Sequence, residues 1–188
     1  MEIEDPVIWR KVAVPMKLNF HQLNLIIQAA MGWENQHLYS FQESLESRYF
    51  TLVSPYAEEF GADAKKVPAT NILWSYLNQF NMDEDAVRDK MYYQYDYGDD
   101  WMHEIDVVDL DRSDRVSPEL LDGEGACPPE NCGGIPGFQM LKDCLSGRMS
   151  KEEYYDQFCS VELKGYDLHK IDLRQLKARV KGWKMLEG

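Results

Sequence analysis

Four acids and one histidine fall within nine residues of the sequence: Asp96, Asp99, Asp100, His103 and Glu104. A tight turn would bring Asp96 and Asp99 together, and two carboxylate oxygens can share one divalent cation with help from His103. Such a group could support metal-assisted hydrolysis. Asp99 and Asp100 could instead hold the turn through bonds from side chain to backbone, with His103 packed beside Trp101 and its ring nitrogens satisfied. The pattern favours this second interpretation.

Cys127 and Cys132 form a C-x4-C pair in a segment rich in glycine and proline. Two thiolates could supply half of a tetrahedral zinc site, with His37, His103 or acids as the other ligands. The spacing also opens a plant-type iron–sulfur motif, but the C-x2-C that would continue it is absent from the sequence. A short-loop disulfide would need an oxidising compartment. We therefore expect the thiols to pack beneath a stiff Pro-Pro loop without a cofactor, and a zinc site of Cys127, Cys132 and His103 is the alternative.

Glu130 and Asn131 lie in the middle of that loop. Residues 123–137 contain eight Gly or Pro, which predicts a backbone that is neither helix nor strand. Binding residues often lie on loops that a rigid scaffold holds in place, so we predict a binding cleft between this loop and a hairpin over 91–108. The predicted cleft residues are Trp33, His37, Tyr95, Asp96, Asp99, Trp101, His103, Glu130 and Asn131. A loop that only caps the sheet is the alternative.

The hairpin is predicted from alternation on both sides of a central glycine. Tyr93, Tyr95 and Tyr97 would share one face of the incoming strand, and Trp101, His103, Ile105 and Val107 one face of the outgoing strand. Gly98 and Asp99 stand at the centre, where a tight turn tolerates a glycine with positive φ.

Hydrophobic periodicity predicts the elements around the hairpin. Strands are predicted over 7–15, 37–44 and 48–53, and residues 54–69 as a loop. A helix begins after the capping box of Asn19 and Gln22 and ends at Gly32, and we expect His21 in its first turn to be solvated. Further helices are predicted over 71–80, 137–147, 150–158 and 172–182. This order favours an α+β fold with a mixed or antiparallel sheet over a parallel array.

Length and composition fit a single domain over residues 1–188, in which 44% of the residues are hydrophobic. Cys144 and Cys159 fall in helical patterns and are expected in the core. No apolar run reaches the roughly 20 residues of a membrane span, and the first residues lack the features of a signal peptide. We therefore expect a soluble, cytoplasmic protein without membrane contact.

The formal net charge of −13 opposes binding to nucleic acid, whose phosphates are neutralised by Lys and Arg. Six basic residues nevertheless occur close together near the C-terminus: Lys170, Arg174, Lys177, Arg179, Lys181 and Lys184. On the simplest interpretation they line the solvent face of a helix and complement its dipole.

Four separated motifs occur in a fixed order: IWRKVAVP, LNFHQLNLIIQAAMGWENQHLYSF, YDYGDDWMHEI and DGEGACPPENCGGIPGF. Together they resemble the plasmid pRiA4b open-reading-frame-3-like family over roughly residues 6–140, with 141–188 as a helical extension. The resemblance implies an α+β domain of bacteria, archaea and mobile elements, some of whose members are labelled insertion-element passenger or resolvase-like proteins. It implies no established activity. Members often have Asp at the position of Asn131, and some lack the cysteine at Cys132.

Three functions are compatible with these patterns. The first is a module that binds a small molecule or a protein, because aromatic and turn residues dominate the distinctive segments while nucleophile-elbow, phosphate-loop and zinc-protease motifs are absent from the sequence. The second is a metal-dependent hydrolase or nuclease that uses Asp96, Asp99 and His103. The third is a DNA-associated accessory protein of mobile elements. Whether the protein is an enzyme stays open at this point.

Overall fold

The computed structural model describes residues 7–42, 52–53, 61–69, 91–110, 114–157 and 165–187. The predicted helix over 71–80 and Cys159 lie outside these residues, as does most of the predicted strand over 48–53.

Seven strands are described: β1 (Trp9–Ala13), β2 (Tyr39–Gln42), β3 (Leu52–Val53), β4 (Ala62–Asp63), β5 (Met91–Tyr95), β6 (Trp101–Ile105) and β7 (Glu119–Glu124). Five of them form one sheet in the order β4-β3-β2-β5-β6, in which only β3 and β4 run parallel. β1 and β7 pair separately as an antiparallel ribbon with a bulge between Lys11 and Val12. The predicted hairpin is confirmed, with Tyr93 opposite His103 and Tyr95 opposite Trp101.

Four α-helices and one 3-10 helix are described: α1 (Phe20–Met31), α2 (Gly134–Leu145), α3 (Lys151–Gln157), α4 (Leu173–Lys181) and the 3-10 helix Trp183–Glu187. With the mixed sheet they confirm the α+β class. None of the described helices is long and apolar enough to cross a membrane.

The helix ends follow the predicted capping residues. Asn19 and Gln22 form the capping box of α1, and Gly32 ends that helix with a φ of 94°. Ser150 and Glu153 exchange bonds of 2.9 and 3.1 Å at the start of α3, and Asp172 accepts a bond from the Gln175 N–H at the start of α4. Each cap satisfies N–H groups that have no partner within the helix.

Helix α1 lies between two apolar clusters. Phe20 packs against the sheet, with its ring centroid 5.0 Å from that of Phe41. On another side of α1, Leu25 and Ile26 pack with Val180 of α4 and with Trp183, all buried. Full burial of a Leu or Ile side chain contributes about 1.5–3 kcal/mol, so the C-terminal helix forms part of the core.

Three local predictions were wrong. His21 is buried rather than solvated, and its Nδ1 lies 2.7 Å from the Tyr39 hydroxyl, because β2 covers the first turn of α1. The irregular stretch is shorter than 123–137, since β7 includes Gly123 and α2 begins at Gly134. Pro136 fits the first turn of α2, where its missing N–H needs no partner. The predicted loop over 54–69 likewise contains the short strand β4.

Candidate functional site

Three segments meet beside the tip of the β5–β6 hairpin: residues 33–37, residues 96–100 and residues 125–134. We call this meeting place the junction. Hydrogen bonds join the first segment to the third, and the second to the third. The segment 33–37 follows α1, and the segment 125–134 connects β7 to α2.

The hairpin turn is built from aspartates. The Asp96 carboxylate accepts bonds from the N–H groups of Gly98 and Asp99 at 2.9 and 3.3 Å. Asp96 and Asp100 take left-handed φ values of 57° and 55°, whereas Gly98 does not. The predicted tight turn with a positive φ at Gly98 was therefore wrong, since the loop has five residues between β5 and β6. The side-chain-to-backbone bonds expected from Asp99 and Asp100 within the turn are made by Asp96 instead.

Asp99 ties the hairpin tip to the loop before α2. Its Oδ2 accepts a bond of 3.1 Å from the Gly133 N–H. The next residue, Gly134, has a φ of +64°, and a Cβ added there would collide with the Asp99 backbone oxygen. The Gly-Gly pair thus lets the two backbones approach closely, a use of glycine that the sequence shows only as a loop signal.

Glu130 joins the same loop to the segment after α1. Its Oε1 accepts a bond of 2.5 Å from the Tyr95 hydroxyl, and its Oε2 accepts one of 2.8 Å from the Glu34 N–H. The Tyr95 oxygen in turn accepts a bond from the Gln36 N–H at 3.0 Å. Burial, and then the Glu130 carboxylate, raise the pKa of Tyr95, so this phenol stays protonated and donates.

The aromatic residues of the junction pack as core. Trp33 stacks on Tyr95 with ring centroids 4.9 Å apart and lies 6.2 Å from Trp101. Their exposed fractions are 2% for Trp33, 1% for Tyr95 and 9% for Trp101. The Trp33 indole N–H donates to the Pro128 carbonyl at 2.9 Å. The prediction that these three rings form the walls of an open cleft was therefore wrong, because they fill the interior beneath it.

His103 belongs to the same interior. Its ring meets Trp33 edge-on at 5.4 Å, and its Nδ1 lies 3.1 Å from the Trp101 carbonyl and 3.3 Å from the Tyr93 carbonyl. Burial lowers the pKa of His103, and the two carbonyls oppose that effect. The favoured interpretation predicted packing beside Trp101 with both ring nitrogens satisfied; the ring instead packs against Trp33 and Tyr93, with Nδ1 near the two carbonyls.

Sequence reasoning missed a buried network of amides under the junction. Asn24 and Gln28 of α1 are fully buried, and both bond the Tyr93 hydroxyl, at 2.6 and 2.8 Å. They also hold Asn35, through its side chain at 2.9 Å and its N–H at 3.0 Å. Two amides spaced four apart on an otherwise apolar helix were the signal available in the sequence.

Arg179 of α4 holds the junction from outside. Its guanidinium donates to Glu34 Oε1 at 2.8 Å and to the Trp33 carbonyl at 2.6 Å. Its side chain is only 25% exposed. The expectation that every C-terminal basic residue faces solvent was therefore wrong for Arg179, because α4 packs beside the end of α1 and brings this arginine to the junction.

The two loop cysteines are reduced and covered. Cys132 is fully buried in the core, and Cys127 packs against the same cluster. Burial raises the pKa of the Cys132 thiol to about 12 and that of Cys127 further, which makes both poor nucleophiles at neutral pH. The expected packing of these thiols is confirmed, and Cys144 is buried as predicted.

No group of three His, Cys, Asp or Glu side chains is arranged to hold a metal ion among the described residues. Asp96 and Asp99 lie together, but each has a carboxylate oxygen bound to backbone N–H groups. The metal-dependent hydrolase stays a prediction from the sequence.

The outer edge of the junction consists of His37, Tyr97 and Asn131, and we call these three residues the rim. The His37 side chain is 29% exposed, and its buried Nε2 lies 3.4 Å from Asp96 Oδ2 without hydrogen-bond geometry. Tyr97 is 43% exposed and donates its hydroxyl to the Tyr39 carbonyl at 3.2 Å. Asn131 is exposed and has a φ of 60°. Of the predicted cleft residues, Asn131 is exposed, and His37, Asp99, His103 and Glu130 are half-buried.

A sequence model of the family described as "Plasmid pRiA4b ORF-3-like protein" matches residues 1–175. The chain belongs to this family. The match runs past residue 140 through α2 and α3 into α4, so the family sequence includes helices that the resemblance had treated as an extension.

Two relatives have no assigned activity. The uncharacterised protein y4hQ of Sinorhizobium fredii is 32% identical over 146 residues, which cover 76% of this chain and 68% of the relative. The crystal structure of a protein of unknown function from Methanosarcina mazei Go1 is similar with a TM-score of 0.66 and 25% identity, over 89% of this chain and 87% of the other. Both similarities support the family and the α+β fold.

Proposed function

We propose that this protein is a binding module whose ligand contacts the rim of the junction. The observation that carries the proposal is the backbone conformation there. Among the described residues, four that are not glycine have a left-handed φ: Asn35, Asp96, Asp100 and Asn131. All four lie in the segments that form the junction. Such conformations cost free energy, persist where the surroundings impose them, and cluster at ligand sites.

The arrangement supports binding in a second way. The junction has a rigid interior of stacked rings and paired polar atoms, and above it His37 and Tyr97 are partly accessible. The partly exposed His37 imidazole and the exposed Tyr97 ring offer polar atoms and an aromatic surface. This chemistry suits a ligand that has both polar groups and an apolar part, in a small molecule or a protein segment.

A fragment screen by ligand-observed NMR tests the proposal. Wild-type protein is compared with Tyr97→Ala and with Asn131→Gly, which keeps a residue tolerant of positive φ. Tyr155→Ala on α3 is the matched control, because Tyr155 is exposed to a similar degree, 38% against 43% for Tyr97. We expect neutral aromatic fragments to bind wild type and Tyr155→Ala, and to bind the two rim variants at least about tenfold more weakly.

Three results would contradict the proposal: fragments that bind both rim variants as well as wild type, equal losses in Tyr155→Ala, or no fragment bound at the rim. Circular dichroism and thermal unfolding of each variant show whether a loss of binding comes from a loss of folding.

A further inference from the structure

The C-terminal helix carries a regular line of cations on a chain whose formal net charge is −13. We call this line the basic stripe, and its members are Lys170, Arg174, Lys177, Lys181 and Lys184. Their spacings of four, three, four and three residues follow one flank of a helix. Arg174, Lys177 and Lys181 lie within α4, where a rise of about 1.5 Å per residue presents one cation about every 5 Å, while Lys170 precedes that helix and Lys184 lies in the 3-10 helix that follows. All five side chains are exposed.

The opposite side of α4 is what fixes this flank in place. Leu173, Leu176, Val180 and the following Trp183 pack against α1 and its cluster. The bond from Asp172 to Gln175 caps the first turn, and Arg179 on the far flank is held by Glu34. The helix cannot rotate to hide the basic stripe without giving up this packing.

The basic stripe has no carboxylate partners among the described residues. Other exposed basic residues do: Lys66 pairs with Asp63, Arg115 with Glu119, and Arg148 with Asp143. The Lys184 ammonium lies 5.7 Å from the ring centroid of its neighbour Trp183. A chain with 33 acids and 20 basic residues has ample carboxylates to pair these cations, yet the described part leaves them available.

We infer that the basic stripe binds the sugar–phosphate backbone of nucleic acid. A line of evenly spaced point charges matches a linear polyanion, whereas a compact anion needs donors that converge on one point. Four of the five cations are lysines, which bind phosphate as point charges without a fixed orientation. The spacing of the charges thus favours an extended polyanion over a compact anion.

The acidity of the whole chain limits the affinity of this contact but does not abolish it. The Debye length is about 10 Å at 0.1 M salt, so exposed acids more distant than this from a bound phosphate are largely screened. The net charge therefore weakens long-range attraction, while contacts at the stripe act over a few ångströms. This inference concerns a different surface from the rim and does not depend on the proposed function.

The test is fluorescence anisotropy with labelled 20-mer duplex and single-stranded DNA of mixed sequence, in salt from about 20 to 200 mM. Arg174→Gln/Lys177→Gln/Lys181→Gln is compared with Lys17→Gln/Lys65→Gln/Lys151→Gln. The second triple variant removes three exposed lysines elsewhere, so both proteins have the same net charge. We expect wild type and the second variant to bind, with log K falling by about three to four per tenfold rise in salt, as four or five phosphate contacts require.

The stripe variant should bind at least about tenfold more weakly at 50 mM salt, with a salt slope reduced by about two to three. Binding of either DNA form in this pattern supports the inference. It is overturned if wild type binds neither form at the lowest salt, or if both triple variants lose binding equally. It is also overturned if polyglutamate of matched charge competes as well as unlabelled DNA. Thermal unfolding serves as the folding control, since every substituted side chain is exposed.

Discussion

The junction and the basic stripe are both rich in polar side chains, but they place them in opposite environments. In the junction, the half-buried Glu130 accepts two hydrogen bonds and the buried indole of Trp33 donates one. In the basic stripe, Arg174, Lys177 and Lys181 are exposed and have no carboxylate partner among the described residues. One region uses polar groups to define its own shape, and the other leaves them available to a partner.

This difference changes which sequence features point to a site. The acids and aromatic rings of the hairpin are the most distinctive residues of the chain, yet most of them are used internally: Tyr95 by Glu130, and Asp99 by Gly133. A buried polar atom must find a partner or cost about 1–3 kcal/mol. Conspicuous residues at an irregular place therefore often stabilise that place, and the more exposed residues lie at its edge.

The largest predicted effect is the loss of Trp33. Trp33→Ala should lower the free energy of unfolding by about 3–5 kcal/mol, because it leaves a cavity among Tyr95, Trp101 and His103 and removes the bond to Pro128. Arg174→Ala in the basic stripe should change it by no more than about 0.5 kcal/mol. Urea unfolding followed by circular dichroism measures both values.

If Trp33→Ala and Arg174→Ala lowered the free energy of unfolding by similar amounts, the junction would not be a packed region and the basic stripe an exposed one. Trp33→Phe refines the test, since it keeps an aromatic ring in the stack and removes the indole N–H. The free energy of unfolding of Trp33→Phe should lie between the values for wild type and Trp33→Ala.

A smaller effect is predicted where the hairpin tip meets the loop before α2. Gly134→Ala and Gly147→Ala each place a Cβ at a left-handed φ, +64° and +76°, which costs roughly 1–2 kcal/mol. Only at Gly134 does the Cβ meet another segment, the backbone of Asp99, whereas the space at Gly147 is open. Gly134→Ala should therefore destabilise the protein by about 1–3 kcal/mol more than Gly147→Ala.

Both glycine variants carry the cost of a Cβ at a left-handed φ. The difference between their unfolding free energies therefore measures the clash between the new Cβ at position 134 and the Asp99 backbone. Equal unfolding free energies for the two variants would mean that the hairpin tip and the loop are not in tight contact. Differential scanning calorimetry of the pair and of wild type provides the measurement.

Local signals in the sequence predicted much of the fold. The capping box of Asn19 and Gln22, and the alternation of Tyr93 with Tyr95, depend on residues a few positions apart, and the structure has both features. The family resemblance also proved correct, because its motifs span most of the chain.

The errors concern contacts between distant segments. The burial of His21 depends on Tyr39, and the enclosure of Trp33 depends on Pro128, 95 residues further along the chain. No periodicity within one element encodes such a partner. The same limit applies to the candidate site, where sequence reasoning found Glu130 and Asp99 but could not show that their oxygens are already bonded to Tyr95 and Gly133.

The smallest predicted effect is a dependence of stability on pH that comes from two buried histidines. Burial lowers the pKa values of His21 and His103 below the ordinary value of 6.5. Between the lowered folded-state pKa and about 6.5, the unfolded chain therefore binds more protons than the folded chain. Stability is complete above about pH 6.5 and falls as the pH decreases through this window, by at most about 1.4 kcal/mol per pH unit for each histidine.

Urea unfolding at pH 7.5, 6.5 and 5.5 measures this slope. The variant His103→Gln shows how much of the slope comes from the histidine in the junction. The variant keeps a polar side chain near the Trp101 carbonyl but cannot titrate, so its stability should fall less steeply with decreasing pH than that of wild type. A slope in His103→Gln as steep as that of wild type would show that protonation of His103 does not lower the stability, and that the interior of the junction is more accessible to water than its packing indicates.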